Sequence, residues 1–325
     1  MGKRAALVLG SGGARGYAHI GVIEEIVSRG YEIGCIAGCS MGAVVGGIYA
    51  AGKLDEYRAW VESLDYLDVL RLVDPSFSLG AVRGEKVFAR VREIIGDIDI
   101  EDLPIPYTAV ATDLTNQQEI WFQEGSLELA MRASAAIPSL FTPVIQGKRM
   151  LVDGGLLNPL PIVPVVSSHC DLIIAVNLNG NNHKQYPLPE ISRPGRFDTV
   201  IHSISSRLPF LRRSAQGLEE QIAKLQHEHP PSAPATQGAP KSAEGSVVID
   251  VGGPASLLEL INQSFEVMQS SLAQYKIAGY PPNVLVTVPR RACRFYEFYK
   301  APELIALGRT IARDAFDKYE TEQER

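Results

Sequence analysis

The chain has little with which to hold a polyanion or to cross a membrane. Its 31 lysines and arginines are outnumbered by 37 aspartates and glutamates, a formal charge of −6. No basic excess therefore supports binding along a nucleic-acid backbone. The apolar run behind Lys3-Arg4 stops at Gly10. That is short of the roughly 7–15 residues of a signal core and the about 20 of a membrane span. Ala6 stands where N-myristoylation wants Ser or Thr. Cys35, Cys39, Cys170 and Cys293 are too scattered for a disulfide framework, and no second Cys or His pair completes a zinc site with the first two. They read as small buried hydrophobes in a reduced compartment. A cytoplasmic protein is the expectation.

What is present is an ordinary globular composition, 46% hydrophobic and 21% charged. A chain of 325 residues makes one large domain or two average ones. Residues 5–9 form an unbroken apolar run, as in a strand covered on both faces. A glycine-rich loop, Gly10 to Gly16, leads into a helical period carrying Ile20, Ile23, Ile26 and Val27 and closed by Gly30. A second strand about residues 35–37 meets Gly38-Cys39-Ser40-Met41-Gly42, followed by a small apolar helix up to Gly52. This alternation predicts a parallel α/β sheet with its loops at the strand C-terminal ends.

Further along, helices are predicted over 86–95, 127–136, 257–278 and 303–318, and strands over 107–113, 119–122, 150–152, 172–176 and 284–288. Asn158-Pro159-Leu160-Pro161 reads as the start of a helix. Residues 227–246 are rich in Pro, Ala, Ser and Gly and read as a flexible loop. The expected organisation is a single domain, 1–325. Its motifs fall within 5–180, a variable substrate-facing or lid region spans about 180–256, and C-terminal helices and a strand fill 257–325.

Three motifs carry chemistry. Gly38-x-Ser40-x-Gly42 sits between a strand and a helix, the setting of a nucleophile elbow, whose turn leaves no room for flanking side chains. The helix from Met41 adds N–H groups and a positive dipole end beside the serine. A Gly-rich turn that merely packs helix on strand is the competing reading. A serine nucleophile needs a base, yet no histidine has a fitting context. His19 lies upstream, His227 and His229 fall in the flexible loop, and His169, His183 and His202 lack a distinctive turn. Asp153-Gly154-Gly155, directly after a buried strand, would instead bring a carboxylate to the same sheet edge as Ser40. In an apolar site such a carboxylate can act as the base; an ordinary Asp-Gly turn competes. The loop at Gly10 presents several N–H groups to an anion. It matches neither the dinucleotide spacing, because Arg15 stands at the third glycine position, nor a Walker loop. A transient oxyanion next to Ser40 suits it better.

Gly12-Gly13-x-Arg15-Gly16, Gly38-x-Ser40-x-Gly42 and Asp153-Gly154-Gly155, in this order, resemble the three motifs of the patatin-like phospholipase family, in particular its bacterial, cytoplasmic-type members. The resemblance covers roughly the first 180 residues, with Ser11 where the family's loop usually has a further Gly. It implies a three-layer α/β/α fold with a mainly parallel central sheet. It also implies a Ser–Asp dyad of Ser40 and Asp153, an oxyanion hole from the Gly12 and Gly13 amides, and Arg15 supporting that loop. The implied activity is hydrolysis of acyl esters of phospholipids, lysophospholipids or neutral lipids, with no metal and no cofactor. A lipid- or partner-binding protein of the same fold with little turnover is the alternative. Leu208-Pro209-Phe210-Leu211-Arg212-Arg213 has the composition of an interfacial segment in peripheral contact with a membrane; a buried lid or dimer contact fits it equally. The aromatics of residues 294–300 read as core or rim packing.

Overall fold

The structure, a computed structural model, describes residues 3–72, 84–138, 141–180, 186 and 257–324. The segment Leu208 to Arg213, the loop 227–246, His183, His202, His227, His229 and nearly all of 180–256 lie outside the described residues. Contacts divide the chain into one compact unit of residues 1–190 with 265–325 and another of 191–264. Of the second, only the beginning of one long helix is described.

The first unit is built on strands β1 (Arg4–Leu9), β2 (Glu32–Cys39), β3 (Tyr107–Asp113), β4 (Gln118–Phe122), β5 (Val144–Gln146), β6 (Arg149–Asp153), β7 (Leu172–Gly180) and β8 (Val284–Pro289). Helices α1 (Ala18–Ser28), α2 (Met41–Ala50), α3 (Leu54–Ser63), α4 (Tyr66–Leu72), α5 (Glu85–Ile95), α6 (Leu127–Ser134), α7 (Val163–Val166), α8 (Leu257–Gly279) and α9 (Ala301–Gln323) surround them. The pairs β1–β2, β2–β3, β1–β7 and β7–β8 are parallel, whereas β4, β5 and β6 pair antiparallel. This is the expected three-layer α/β/α arrangement.

The unbroken apolar run of β1 is explained by its two covered faces. Ala5, Leu7 and Leu9 join the larger core with residues of α1, α2 and α9, while Ala6 and Val8 join a smaller one with Val165 of α7 and Ala273 of α8. In α1, Ile20, Ile23 and Ile26 are buried as their spacing predicts, but Val27 is exposed. It lies one position beyond the inward stripe. The reading of residues 158–161 as a helix start also needs correction. A 3-10 turn at Gly154–Leu156 comes first, and α7 begins only at Val163, with Pro164 in its first turn. Cys39 and Cys293 are buried as expected, but Cys35 and Cys170 are half-exposed, their free thiols 4.0 Å apart.

The register of β3 positions the site. β4 lies along β3 from Ala109 to Asp113. β2 pairs with β3 as far as Cys39 opposite Val110, and β6 pairs with it from Asp153 opposite Ala111. Since β4 occupies one edge throughout, β2 and β6 must share the other, end to end. A parallel strand and an antiparallel strand thus run head-on into each other, and Ser40 and Asp153 meet where they stop. Asp153 reaches the expected sheet edge, but along a strand of opposite direction.

Candidate active site

Ser40 has φ 57° and ψ −126°, a conformation that a residue with a side chain rarely adopts. Such strain persists only where the surroundings enforce it. Here the enforcing contacts are close approaches on both sides. A Cβ at Gly38 would stand 2.5 Å from the Gly42 carbonyl oxygen and 2.6 Å from Ala43 Cα, and one at Gly42 would strike the Leu9 carbonyl. Ser134 of α6 completes the hold. Its hydroxyl accepts from the Ser40 N–H at 2.9 Å and donates to the Val110 carbonyl at 2.6 Å. Ser40 also opens α2, whose Ala43 N–H donates to the Ser40 carbonyl. The elbow is therefore a strained turn locked between two strands and two helices.

Asp153 is fully buried. One carboxylate oxygen, Oδ1, accepts the Gly155 N–H at 2.7 Å and faces Cys39 Sγ at 4.0 Å. The other, Oδ2, has no hydrogen-bond partner among the described residues. Burial raises the Asp153 pKa from 3.8 to about 7, and the Ser40 side chain and Gly155 N–H keep it from rising further. The Ser40 hydroxyl is thus near enough to bias the carboxylate without holding Oδ2 in a regular hydrogen bond. Gly154 admits this packing, because a Cβ there would collide with the Val110 carbonyl. The same burial lifts the Cys39 thiol well above its ordinary value, with Asp153 adding to the effect.

The glycine loop lies between β1 and α1. Its flanks are fixed: Gly10 N–H donates to Val176 O, Ser11 N–H to Pro159 O, and Ala14 N–H to Phe295 O. Between them, the Gly12 and Gly13 N–H groups have no acceptor among the described residues. Gly13 has φ 55° and sits so close to Phe295 that a Cβ would fall 2.6 Å from its carbonyl oxygen, so the aromatic segment 294–300 packs on the loop. Arg15, 2% exposed, donates through Nη1 to Glu266 Oε1 at 2.9 Å and to the Arg290 and Cys293 carbonyls at 3.1 and 3.3 Å. Its Nη2 reaches Asn179 Oδ1 at 3.4 Å. His19, also fully buried, meets the Gly10 carbonyl through Nε2 at 2.9 Å. Burial lowers its pKa to about 4, so it is a neutral donor there.

Ser40 is 1% exposed. Cavities of about 410 Å³ beside α5 and about 380 Å³ beneath Cys35 and Tyr107 include neither Ser40 nor Asp153. Among the described residues no three His, Cys, Asp or Glu side chains stand together as a metal site, and no helix is long and apolar enough to cross a membrane. His169 is exposed. Sequence reasoning passed over Ser134, His19, Asn179, Glu266 and Gln269, all of which hold the elbow or the loop. Ser134, Asn179, Glu266 and Gln269 come from distant segments with no motif of their own, so only the fold reveals them, whereas His19 lies just three residues past the loop.

The family model described as patatin-like phospholipase matches residues 7–166. An uncharacterized NTE family protein of Mycobacterium tuberculosis is 42% identical over 336 residues, which cover 99% of this chain and 93% of the relative. The chain belongs to the patatin-like phospholipase family. Neuropathy target esterase sws of Drosophila persimilis is 34% identical over 169 residues, 49% of this chain and 12% of that much longer relative. The crystal structure of VipD from Legionella pneumophila superposes with a TM-score of 0.51, at 15% identity, over 98% of this chain and 67% of its own. That likeness concerns the fold alone.

Proposed function

We propose that this member of the family is a metal-independent serine lipid acyl hydrolase of the phospholipase A or lysophospholipase type. Ser40 is the nucleophile and Asp153 its base. The observation that carries the reading is the junction of β2 and β6. There a strained serine faces a buried carboxylate with one oxygen free and a pKa near 7. In this mechanism Oδ2 takes the hydroxyl proton as Ser40 Oγ attacks the ester carbonyl, giving a tetrahedral oxyanion held by the Gly12 and Gly13 amides. Collapse expels the alcohol or lysolipid, which leaves with the proton from Asp153. Asp153 then draws a proton from water as the water oxygen attacks the acyl carbon, and returns that proton to Ser40 Oγ as the fatty acid is released. The same reading treats 1–325 as one hydrolase domain, with about 180–256 as its substrate-facing region.

The test is reaction with a fluorophosphonate probe together with turnover of soluble acyl esters and lysophospholipids. Labelling should map to Ser40, and Ser40→Ala should abolish both labelling and hydrolysis, at a cost on the order of 10⁴–10⁶ in turnover. Substantial hydrolysis by folded Ser40→Ala would overturn the mechanism. A wild-type chain that neither labels nor turns over would favour a lipid- or partner-binding role.

A further inference from the structure

The two free amides of the glycine loop carry no side chains with which to fix themselves. A preorganised oxyanion hole must nevertheless be held to within a fraction of an ångström, so its rigidity has to come from outside the loop. Backbone bonds to Val176, Pro159 and Phe295 fix its flanks, and one helix adds side-chain contacts on both sides of the free amides. On α8, Glu266, Gln269 and Ser270 stand at i, i+3 and i+4, which places them on one face. Glu266 Oε1 accepts from Arg15 at 2.9 Å, Gln269 Nε2 donates to the Ser11 hydroxyl at 3.1 Å, and the Ser270 hydroxyl donates to the Asn179 carbonyl at 3.4 Å. Asn179 in turn donates through Nδ2 to the Ser11 carbonyl at 3.1 Å. Ser11 and Arg15 bracket Gly12 and Gly13, so the helix grips the loop on both sides of the free amides.

We propose that Glu266 and Gln269 are positioning residues for the oxyanion loop, acting through Arg15 and Ser11. The assignment rests on the hydrolase reading and extends it to a helix some 250 residues away in sequence. Gln269 is 3% exposed, so its link to Ser11 is shielded from competing water, while the Arg15–Glu266 pair is part-buried, with side chains 2% and 21% exposed. α8 meets the sheet through Ala273 and Ile277 and through Lys276, which donates to Glu119 Oε1 of β4 at 3.4 Å. The Glu266 and Gln269 contacts go to the loop itself, and Ser270 meets it only through Asn179 near the end of β7.

The experiment compares Gln269→Ala, Glu266→Ala and Glu266→Gln with wild type in turnover of a soluble acyl ester, with folding checked by circular dichroism. A misplacement of about 1 Å costs roughly 100-fold. Accordingly, kcat should fall roughly 10- to 100-fold in Gln269→Ala and Glu266→Ala, with KM within about two-fold of wild type. The pH midpoint, set by Asp153, should not move. Glu266→Gln keeps an acceptor oxygen for Arg15 and should recover most of the rate lost in Glu266→Ala. Tyr275→Ala, at an exposed position of the same helix, should behave as wild type. If Glu266→Ala fails to fold, Gln269→Ala decides alone. A folded Gln269→Ala with wild-type kcat, in an enzyme whose Ser40 still labels, overturns the assignment and leaves the hydrolase reading standing. A wild-type chain that does not label overturns both.

Discussion

A carboxylate that takes a proton from a serine hydroxyl near neutral pH needs an affinity close to that pH and an oxygen free to receive it. Asp153 has both, because complete burial raises its pKa to about 7 while Gly155 occupies only Oδ1. In the proposed mechanism hydrolysis depends on the ionised form, so kcat/KM should rise with pH through a midpoint of about 7 and level off above it. A rate that stayed flat from pH 5 to 8 would separate Asp153 from proton transfer. Asp153→Asn gives a second measure. The amide oxygen can still accept the Gly155 N–H, so the turn should survive, but the proposed base is gone. Turnover should drop nearly as far as in Ser40→Ala, and the double variant should be little worse than either, since two parts of one proton-transfer unit are not additive. Retention of a tenth or more of wild-type turnover by Asp153→Asn would place the base elsewhere.

At the scale of elements, the site is a seam between a parallel strand and an antiparallel one, and Ser134 of α6 is its stitch. Ser134→Ala leaves the Ser40 N–H and the Val110 carbonyl without that partner in a buried setting, a loss of about 1–3 kcal/mol. It should lower the denaturation midpoint and reduce kcat together, because the elbow geometry and the seam share this hydroxyl; unchanged values in both would show that backbone contacts alone hold the turn. The strands and helices around the seam were legible from apolar runs and periodicity, and Ser40 and Asp153 from their glycines. The direction of β6 was not, because a short strand of Met150, Leu151 and Val152 reads the same either way. Nor was the hold on the loop. Glu266 and Gln269 lie on α8 among ordinary polar residues, and nothing local marks the face that meets Ser11 and Arg15.

For the whole molecule, the site has a cost that pH should reveal. Asp153 binds its proton more tightly folded than unfolded. Its contribution therefore favours the fold fully below about 4 and is lost as pH rises through about 7. His19 has the opposite sign. Burial lowers its pKa from 6.5 to about 4, so it disfavours the fold increasingly as pH falls through that interval. At about 1.4 kcal/mol per tenfold change in proton affinity, the two effects are on the order of 4 and 3 kcal/mol. Between about 4 and 6.5 their slopes oppose, and the wild-type chain should show little pH dependence from this pair. Asp153→Asn removes one side of the balance. The variant should be more stable than wild type at pH 8, by up to about 4 kcal/mol, and the difference should shrink towards zero near pH 4. Its own stability should fall on acidification, because His19 is then unopposed. Urea denaturation of both proteins at pH 4, 6 and 8 measures this directly. A gap that stayed constant across the three would mean that the carboxylate is not held at raised affinity by the fold. The pH midpoint of the rate would then need another source.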